Sequence, residues 1–311
     1  SKREGFVRFT VDSGRVYDVP VTEVRAHAEL DSNIINISQI GFRTDQNYLT
    51  SAMSITLKQD TTVIIADHFR LKYENYYLEN NGEISILADT VQISLEQFRL
   101  KGPGDTDLEI AGFWDYSAED LQVFVALQNV ALQPFDQFLG EEHSIGGVLR
   151  GSLEIITPIH NPILEVDIQG ENLSYNDVQF GNVVSIFELV DRQIVINKLQ
   201  IKEGDSYLDL TGDLALTLDF DNMGQLDFLE QTKAELKINW SNLNLGKFAP
   251  LMDMENQLRG TVSGYLETEG SVSSPFIRQS LRMKNFRYDD FAVDSLVMFG
   301  QYNSGYLIVD S

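Results

Sequence analysis

Slid along itself by 113 positions, the chain aligns with itself over two long stretches without a gap. Asn129, Leu132, Phe135, Glu142, Gly147, Gly151, Leu153, Glu154, Pro162, Asn172, Tyr175 and Asp177 fall on Asn242, Leu245, Phe248, Glu255, Gly260, Gly264, Leu266, Glu267, Pro275, Asn285, Tyr288 and Asp290. That is 12 identities in 49 positions, and most other aligned positions keep their apolar or polar character. Self-similarity at a fixed period marks a repeat architecture, in which each unit buries its face only by stacking on neighbours. Stacked repeats present long continuous surfaces rather than one compact pocket, so the period bears on function as well as on fold.

The local pattern is β nearly throughout. Leu121, Val123, Val125 and Leu127 alternate with their neighbours, as do Leu164, Val166 and Ile168, then Leu214, Leu216, Leu218 and Phe220, then Ala234, Leu236, Ile238 and Trp240. Period-two alternation puts one row of side chains on each face of a strand. The second rows are largely polar (Glu165, Asp167, Asp213, Thr217, Asp219, Glu235, Lys237, Asn239), which suits an antiparallel sheet with one dry and one wet face. Turn signals at Asn80-Asn81-Gly82, Gly102-Pro103-Gly104-Asp105, Gly204-Asp205, Asp221-Asn222 and Asn303-Ser304-Gly305 predict hairpin connections and a meander. Short helices are predicted over Pro134 to Glu142 and, at the mate position, Lys247 to Glu255. The expectation is an all-β chain, one continuous repeat segment over 1–311, with repeats at about 121–233 and 234–311 (truncated) and weaker repetition over 1–120. There, Ile35, Ile37, Ile40 and Phe42 echo Ile194, Ile196, Leu199 and Ile201, and Leu108, Ile110 and Gly112 echo Leu208, Leu210 and Gly212.

Composition narrows the partners. The formal charge is −24, with a pI near 4.4, so nucleic-acid phosphates and anionic lipid surfaces would repel the chain as a whole. With no cysteine there is no disulfide, thiol chemistry or cysteine-based zinc site. No apolar run reaches the length of a transmembrane helix. The chain starts with Ser1 within a few residues of a strand pattern, which reads as an excised segment whose anchor, if it has one, lies outside it.

In each repeat, Gly-x-x-x-Gly opens a strand. Then come a gap ending in Pro162 or Pro275, an alternating strand, and Asn172-Leu173-x-Tyr175-Asn176-Asp177 or Asn285-Phe286-x-Tyr288-Asp289-Asp290. The first repeat continues through Ile194-Val195-Ile196 to Leu208-Asp209-Leu210-Thr211-Gly212-Asp213-Leu214. This order and spacing resembles the repeat of the AsmA-like superfamily, most of all its TamB-type members, well over about 120 to 311 and loosely before that. The resemblance implies an elongated antiparallel sheet curled into an open trough, the β-taco. It implies a periplasmic location in an inner-membrane-anchored protein whose anchor is outside this segment. It further implies carriage of phospholipid towards the outer membrane, and outer-membrane protein assembly with the barrel protein TamA through regions outside this segment. It brings no catalytic residues and no cofactor.

An oily row on every strand must be covered by something. In a curled sheet the row lines its own groove, where two acyl chains would gain roughly 0.8 kcal/mol for each CH₂ taken from water. A uniform apolar wall lets a lipid slide, whereas local polar sites would trap it. The candidate lining residues are Leu164, Val166, Ile168, Leu208, Leu210, Leu214, Leu216, Leu236, Ile238, Ile277 and Leu281. Ordinary core packing in a sandwich or closed barrel is the competing explanation for these rows. Two further functional classes remain: an extracellular β-repeat adhesion or scaffold module, and a periplasmic chaperone surface that takes outer-membrane strands by strand addition.

Other signals point to structure. Asp219 to Glu230 imitates a calcium loop but places Met223 where an oxygen ligand belongs. The histidines at 27, 68, 143 and 160 have no metal spacing. Gly146-Gly147-x-x-x-Gly151 lacks the Lys of a phosphate loop and reads as backbone needing room at a sheet corner. The acid pairs Glu141-Glu142 and Asp289-Asp290 are sequence neighbours whose side chains diverge on a strand. Tyr175 and Tyr288 read as turn residues, with a lipid-headgroup contact as the alternative.

Overall fold

A computed structural model describes the chain except residues 1–3, 17–18, 45–46, 74–75, 139–142, 157–162, 177, 191–192, 216, 219–225, 228–233, 250–257, 272–273, 304 and 311. The fold is all-β and antiparallel. The chain divides into two compact units, residues 1–130 with 154–159, and residues 131–153 with 160–311.

The first unit holds β1 (Glu4–Val11), β2 (Gly14–Val16), β3 (Val19–Val21), β4 (Glu23–Asp31), β5 (Ile34–Arg43), β6 (Tyr48–Leu57), β7 (Thr61–Tyr73), β8 (Tyr76–Asn80), β9 (Ile84–Asp89), β10 (Gln92–Gly102), β11 (Thr106–Asp115) and β12 (Asp120–Ala131). Strands β2 and β3 form a small ribbon of their own. β1 pairs with β4, and from β4 each strand pairs with the next as a meander does, except at β8 and β9. One turn signal is corrected. Asn80-Asn81-Gly82 does not reverse the chain, because β8 and β9 are in-line halves of one strand, and β7 and β10 each pair with both. Asn80 bridges the break: its Oδ1 accepts from Phe69 N at 2.8 Å and its Nδ2 donates to Asp67 O at 3.1 Å.

Residues directly opposite in an antiparallel ladder share a face. Leu30, Ile35, Ile55, Ile64, Ile86, Leu95, Gly112 and Val123 form one cross-strand row, and Val24, Phe42, Leu49, Leu71 and Leu78 another. On this face Ala66, Leu78, Ile84 and Leu100 make a buried cluster, with Met53, Phe69, Leu95 and Phe98 packed around it. The opposite face is largely polar. There the guanidinium of Arg99 grips Asp107 with donors at 2.8 to 3.2 Å, holding that carboxyl below the usual range. A lowered folded pKa gives stability that is complete above the unfolded value and is lost as pH falls through the folded one. Backbone and hydroxyl donors lower Asp89 and Asp115 in the same direction. The first unit is therefore expected to weaken as pH drops below about 4. In an Asp107→Asn chain the urea midpoint should be lower at pH 7 and less sensitive to acid, and an unchanged acid sensitivity would remove Asp107 from the account.

The second unit holds β13 (Ile145–Ile156, to Leu153), β14 (Ile163–Tyr175), β15 (Val178–Val190), β16 (Gln193–Glu203), β17 (Ser206–Ala215), β18 (Thr217–Leu218), β19 (Leu226–Asp227), β20 (Ala234–Asn244), α1 (Leu245–Phe248), β21 (Leu258–Ser271), β22 (Ser274–Tyr288), β23 (Phe291–Asn303) and β24 (Tyr306–Asp310). The short β18 and β19 pair with each other, and β17 pairs onward with β20. From β12 to β16 and from β20 to β24, corresponding elements start within two residues of the 113-residue displacement. The two helical positions recur as well over their described parts. The first is a 3₁₀ turn, Gln133–Phe138, and the second is the single α turn of α1, with residues 139–142 and 250–257 outside the described set. Asn244 caps α1 by accepting from Gly246 N at 3.0 Å.

The curl has a local cause. Strands β5, β7, β10, β14, β16, β20 and β22 each carry an extra residue where their register shifts. A bulge bends its strand and increases the twist. Asn172, Asn242 and Asn285 sit at three of these shifts with φ of 53°, 52° and 50°, a left-handed conformation that Asn tolerates better than most residues. In a curled sheet the inner side is the more buried one, and burial therefore assigns the concave side to the apolar face. Val166 is only 8% accessible while Glu165 and Asp167 beside it are exposed.

Candidate functional site

In the second unit the concave face can be read row by row. Leu164, Leu189, Ile194, Leu214 and Ala234 stand opposite one another in turn. The next row is Val166, Phe187, Ile196, Gly212, Leu236, Thr268 and Ile277. Then come Ile168, Ser185, Leu199, Leu210, Ile238, Leu266 and Gln279, and finally Gly170, Val183, Ile201, Leu208, Trp240, Gly264 and Leu281. Ten of the eleven residues expected to line a groove therefore share one face. Leu216 lies outside the described residues.

Most of these side chains are half-buried. Val166, Leu189 and Val262 are deeply buried members of the face. Among the described residues, neither a helix of more than six residues nor a second sheet of more than two strands is available to cover it. The single turn of α1 contacts β21 and β15, where Phe248 lies 6.2 Å from Phe180, centroid to centroid.

Sequence pattern missed part of this wall. Val183, Val184, Ile186 and Phe187 put apolar residues on both faces of β15, so period two is hidden there. The sequence pattern also leaves the inner face of the first unit unassigned. Its signal was present as the spacing 2-3-2: Ile35, Ile37, Ile40, Phe42 on β5, Ile93, Leu95, Phe98, Leu100 on β10, and Ile194, Ile196, Leu199, Ile201 on β16. The step of three is the bulge, which returns the next apolar residue to the same side.

The Gly-x-x-x-Gly segments serve the bend. Gly147 and Gly260 have φ of 111° and 122°, and a Cβ on Gly151 or Gly264 would collide with the carbonyl oxygen of Asp167 or Ser280. Tyr175 stacks on His143 with centroids 5.8 Å apart, and its hydroxyl is 2.7 Å from His143 Nδ1. Tyr288 is 41% exposed at the end of β22, just before the turn at Asp289-Asp290. The calcium-like stretch is described only at Leu226–Asp227, and Glu141-Glu142 and His160 lie outside the described residues. Among the described residues, no three His, Asp or Glu are grouped to hold a metal ion, and no helix is long and apolar enough to cross a membrane.

The chain matches none of the family models, curated proteins or solved structures with which it was compared.

Proposed function

We propose that the concave faces are grooves for acyl chains, and that the protein carries phospholipid between membranes. The observation that supports this most directly is the continuous half-exposed apolar face of the second unit, with a polar face behind it. A sandwich would bury such a face against a partner sheet. Here a ligand with two acyl chains would complete the burial, at roughly 0.8 kcal/mol per CH₂. The wall changes little from row to row, so a chain moving along it exchanges one apolar contact for another.

The resemblance to AsmA-like, TamB-type repeats supplies the setting of the proposal. That setting is an inner-membrane-anchored protein in the periplasm, supporting outer-membrane lipid homeostasis and, with TamA, outer-membrane protein assembly. Chemistry on a substrate is no part of the reading. The test is direct: extract the purified protein with organic solvent and measure phospholipid by mass spectrometry. Near-stoichiometric phospholipid is expected, and a lipid-free protein with the same fold would sink the proposal.

A second reading has its own observation. Among the described residues, β1 pairs with β4 alone and β24 with β23 alone, and Phe6, Val7, Tyr306, Leu307 and Ile308 are 64% to 79% exposed. Such edges accept an added strand, as a chaperone for outer-membrane strands would require. That reading predicts binding of strand peptides which survives delipidation.

A further inference from the structure

From the polar face of the first unit we infer a phosphate-binding site, centred on Tyr48 and built from Arg43, Arg70 and Lys72. The inference deepens the acyl-groove proposal and rests on it only for the source of the phosphate. In a chain with 47 acids and 23 Lys and Arg, three cations converge on one ring. Arg43 Cζ lies 5.7 Å from the Tyr48 centroid, Arg70 Cζ 5.9 Å and Lys72 Nζ 6.0 Å. Arg70 also lies over Tyr77 at 5.3 Å.

The register explains the meeting. Arg43, Tyr48, Lys72 and Tyr77 stand opposite one another across β5 to β8, and Thr50, Arg70 and Glu79 form the row beside them. Ring faces attract each cation, but the three positive charges repel one another. The acids within reach are partly committed. Glu79 meets Arg70 at 3.6 Å and Glu23 meets Arg25. Among the described residues, no carboxylate forms an ion pair with Arg43 or Lys72. Asp45 and Glu74 lie outside the described residues.

A cavity of about 230 Å³ opens beside the cluster, lined by Arg25, Gln39, Arg43, Tyr48 and Thr50, with Glu23 and Phe42 also on its wall. At roughly 30 Å³ per water it has room for a tetrahedral oxyanion and some of its hydration. On the cavity wall the guanidinium forks of Arg25 and Arg43, the Gln39 amide and the Tyr48 and Thr50 hydroxyls suit phosphate oxygens, and Arg70 and Lys72 add positive charge at the same Tyr48 ring. A long polyanion is disfavoured by the surrounding negative charge, whereas a single phosphate meets only the local field.

Placement links the site to the groove. Phe42, Leu49 and Leu71 are chain neighbours of Arg43, Tyr48, Arg70 and Lys72, and they belong to a concave-face row at the ends of the same strands. An amphiphile with its chains on that face can turn its phosphate over the strand ends to the cations.

The experiment is calorimetric titration of the intact chain with three probes: a short-chain phosphatidylglycerol below its micelle concentration, the chain-matched diacylglycerol, and inorganic phosphate. The variant is R43Q/K72Q, whose unchanged circular dichroism and urea midpoint would establish that it is folded. The native chain should bind phosphatidylglycerol at least tenfold more tightly than diacylglycerol, with a preference that shrinks as salt rises. R43Q/K72Q should erase the preference and leave diacylglycerol binding unchanged. Equal binding of the two amphiphiles by the native chain, or a preference that survives in R43Q/K72Q, overturns the site and leaves the groove standing. Phosphate binding that is lost in R43Q/K72Q, with neither amphiphile bound, keeps the anion site and ends the groove proposal. No binding of any probe overturns both.

Discussion

A Gly151→Ala chain should lose about 3 kcal/mol of second-unit stability, combining roughly 1–3 kcal/mol of backbone strain with a similar overpacking cost. Gly151 has φ of 137°, where an L side chain is strained. The same methyl would be driven into the carbonyl oxygen of Asp167 on β14. That neighbour is backbone within a strand, so the collision is relieved only by parting the two strands or unbending one. A loss of this size lowers the melting temperature by roughly 10 °C in a unit of this length. Gly104→Ala is the matched comparison. Gly104 has φ of 66°, and nothing lies within 4 Å of its added Cβ, so it bears strain alone, about 1–2 kcal/mol. Urea unfolding of both variants, followed by hydrogen exchange of β13 and β14, separates the two terms. If Gly151→Ala proved no worse than Gly104→Ala, the close strand approach would be refuted, and the bend assigned to the Gly-x-x-x-Gly segment with it.

The repeat shows how far pattern could be read and where it stopped. The 113-residue period foretold which elements recur and in what order, because each identity serves a backbone need. Asn172 and Asn285 take a left-handed turn at a bulge, and Gly147 and Gly260 take a positive φ. The alternation of β14, β17 and β20 placed eight lining candidates on one face, with Ile277 and Leu281 of β22 in the same rows, since period two survives wherever one face is wet. It failed on β15, where Val184 and Ile186 leave the outer face apolar as well. It failed at Asn80-Asn81-Gly82, where turn-forming residues interrupt a strand rather than reverse it, because the pairing partners on both sides run straight past the break. The cluster at Tyr48 was beyond reach for a different reason. Arg43 and Lys72 are 29 residues apart in sequence, and only the register of three strands brings them to one ring.

If the apolar rows hold acyl chains as proposed, Leu210→Arg should remove at least nine-tenths of the phospholipid extracted from the native protein, while Asp209→Arg should leave the amount unchanged. The two positions are adjacent on β17 and point to opposite faces. Leu210 stands between Leu199 and Ile238 in a concave row, whereas Asp209 stands between Gln200 and Asn239 on the polar side. A guanidinium on this apolar row loses hydration worth several kcal/mol, with no carboxylate in the row to pair with it. It can escape by extending along the groove towards water, but its stem and charge then occupy the path an acyl chain would take. Either outcome offsets the gain from several buried CH₂ groups at about 0.8 kcal/mol each. Leu210 is a cleaner position than Val166, which at 8% accessibility is already buried in the protein, so loss of lipid there would mix binding with folding. Far-ultraviolet circular dichroism should show the same strand signature in both variants. Equal lipid in the two would mean that the concave row does not hold the acyl chains. Loss in Asp209→Arg alone would move the lipid to the polar face and reverse the assignment of the sheet's two sides.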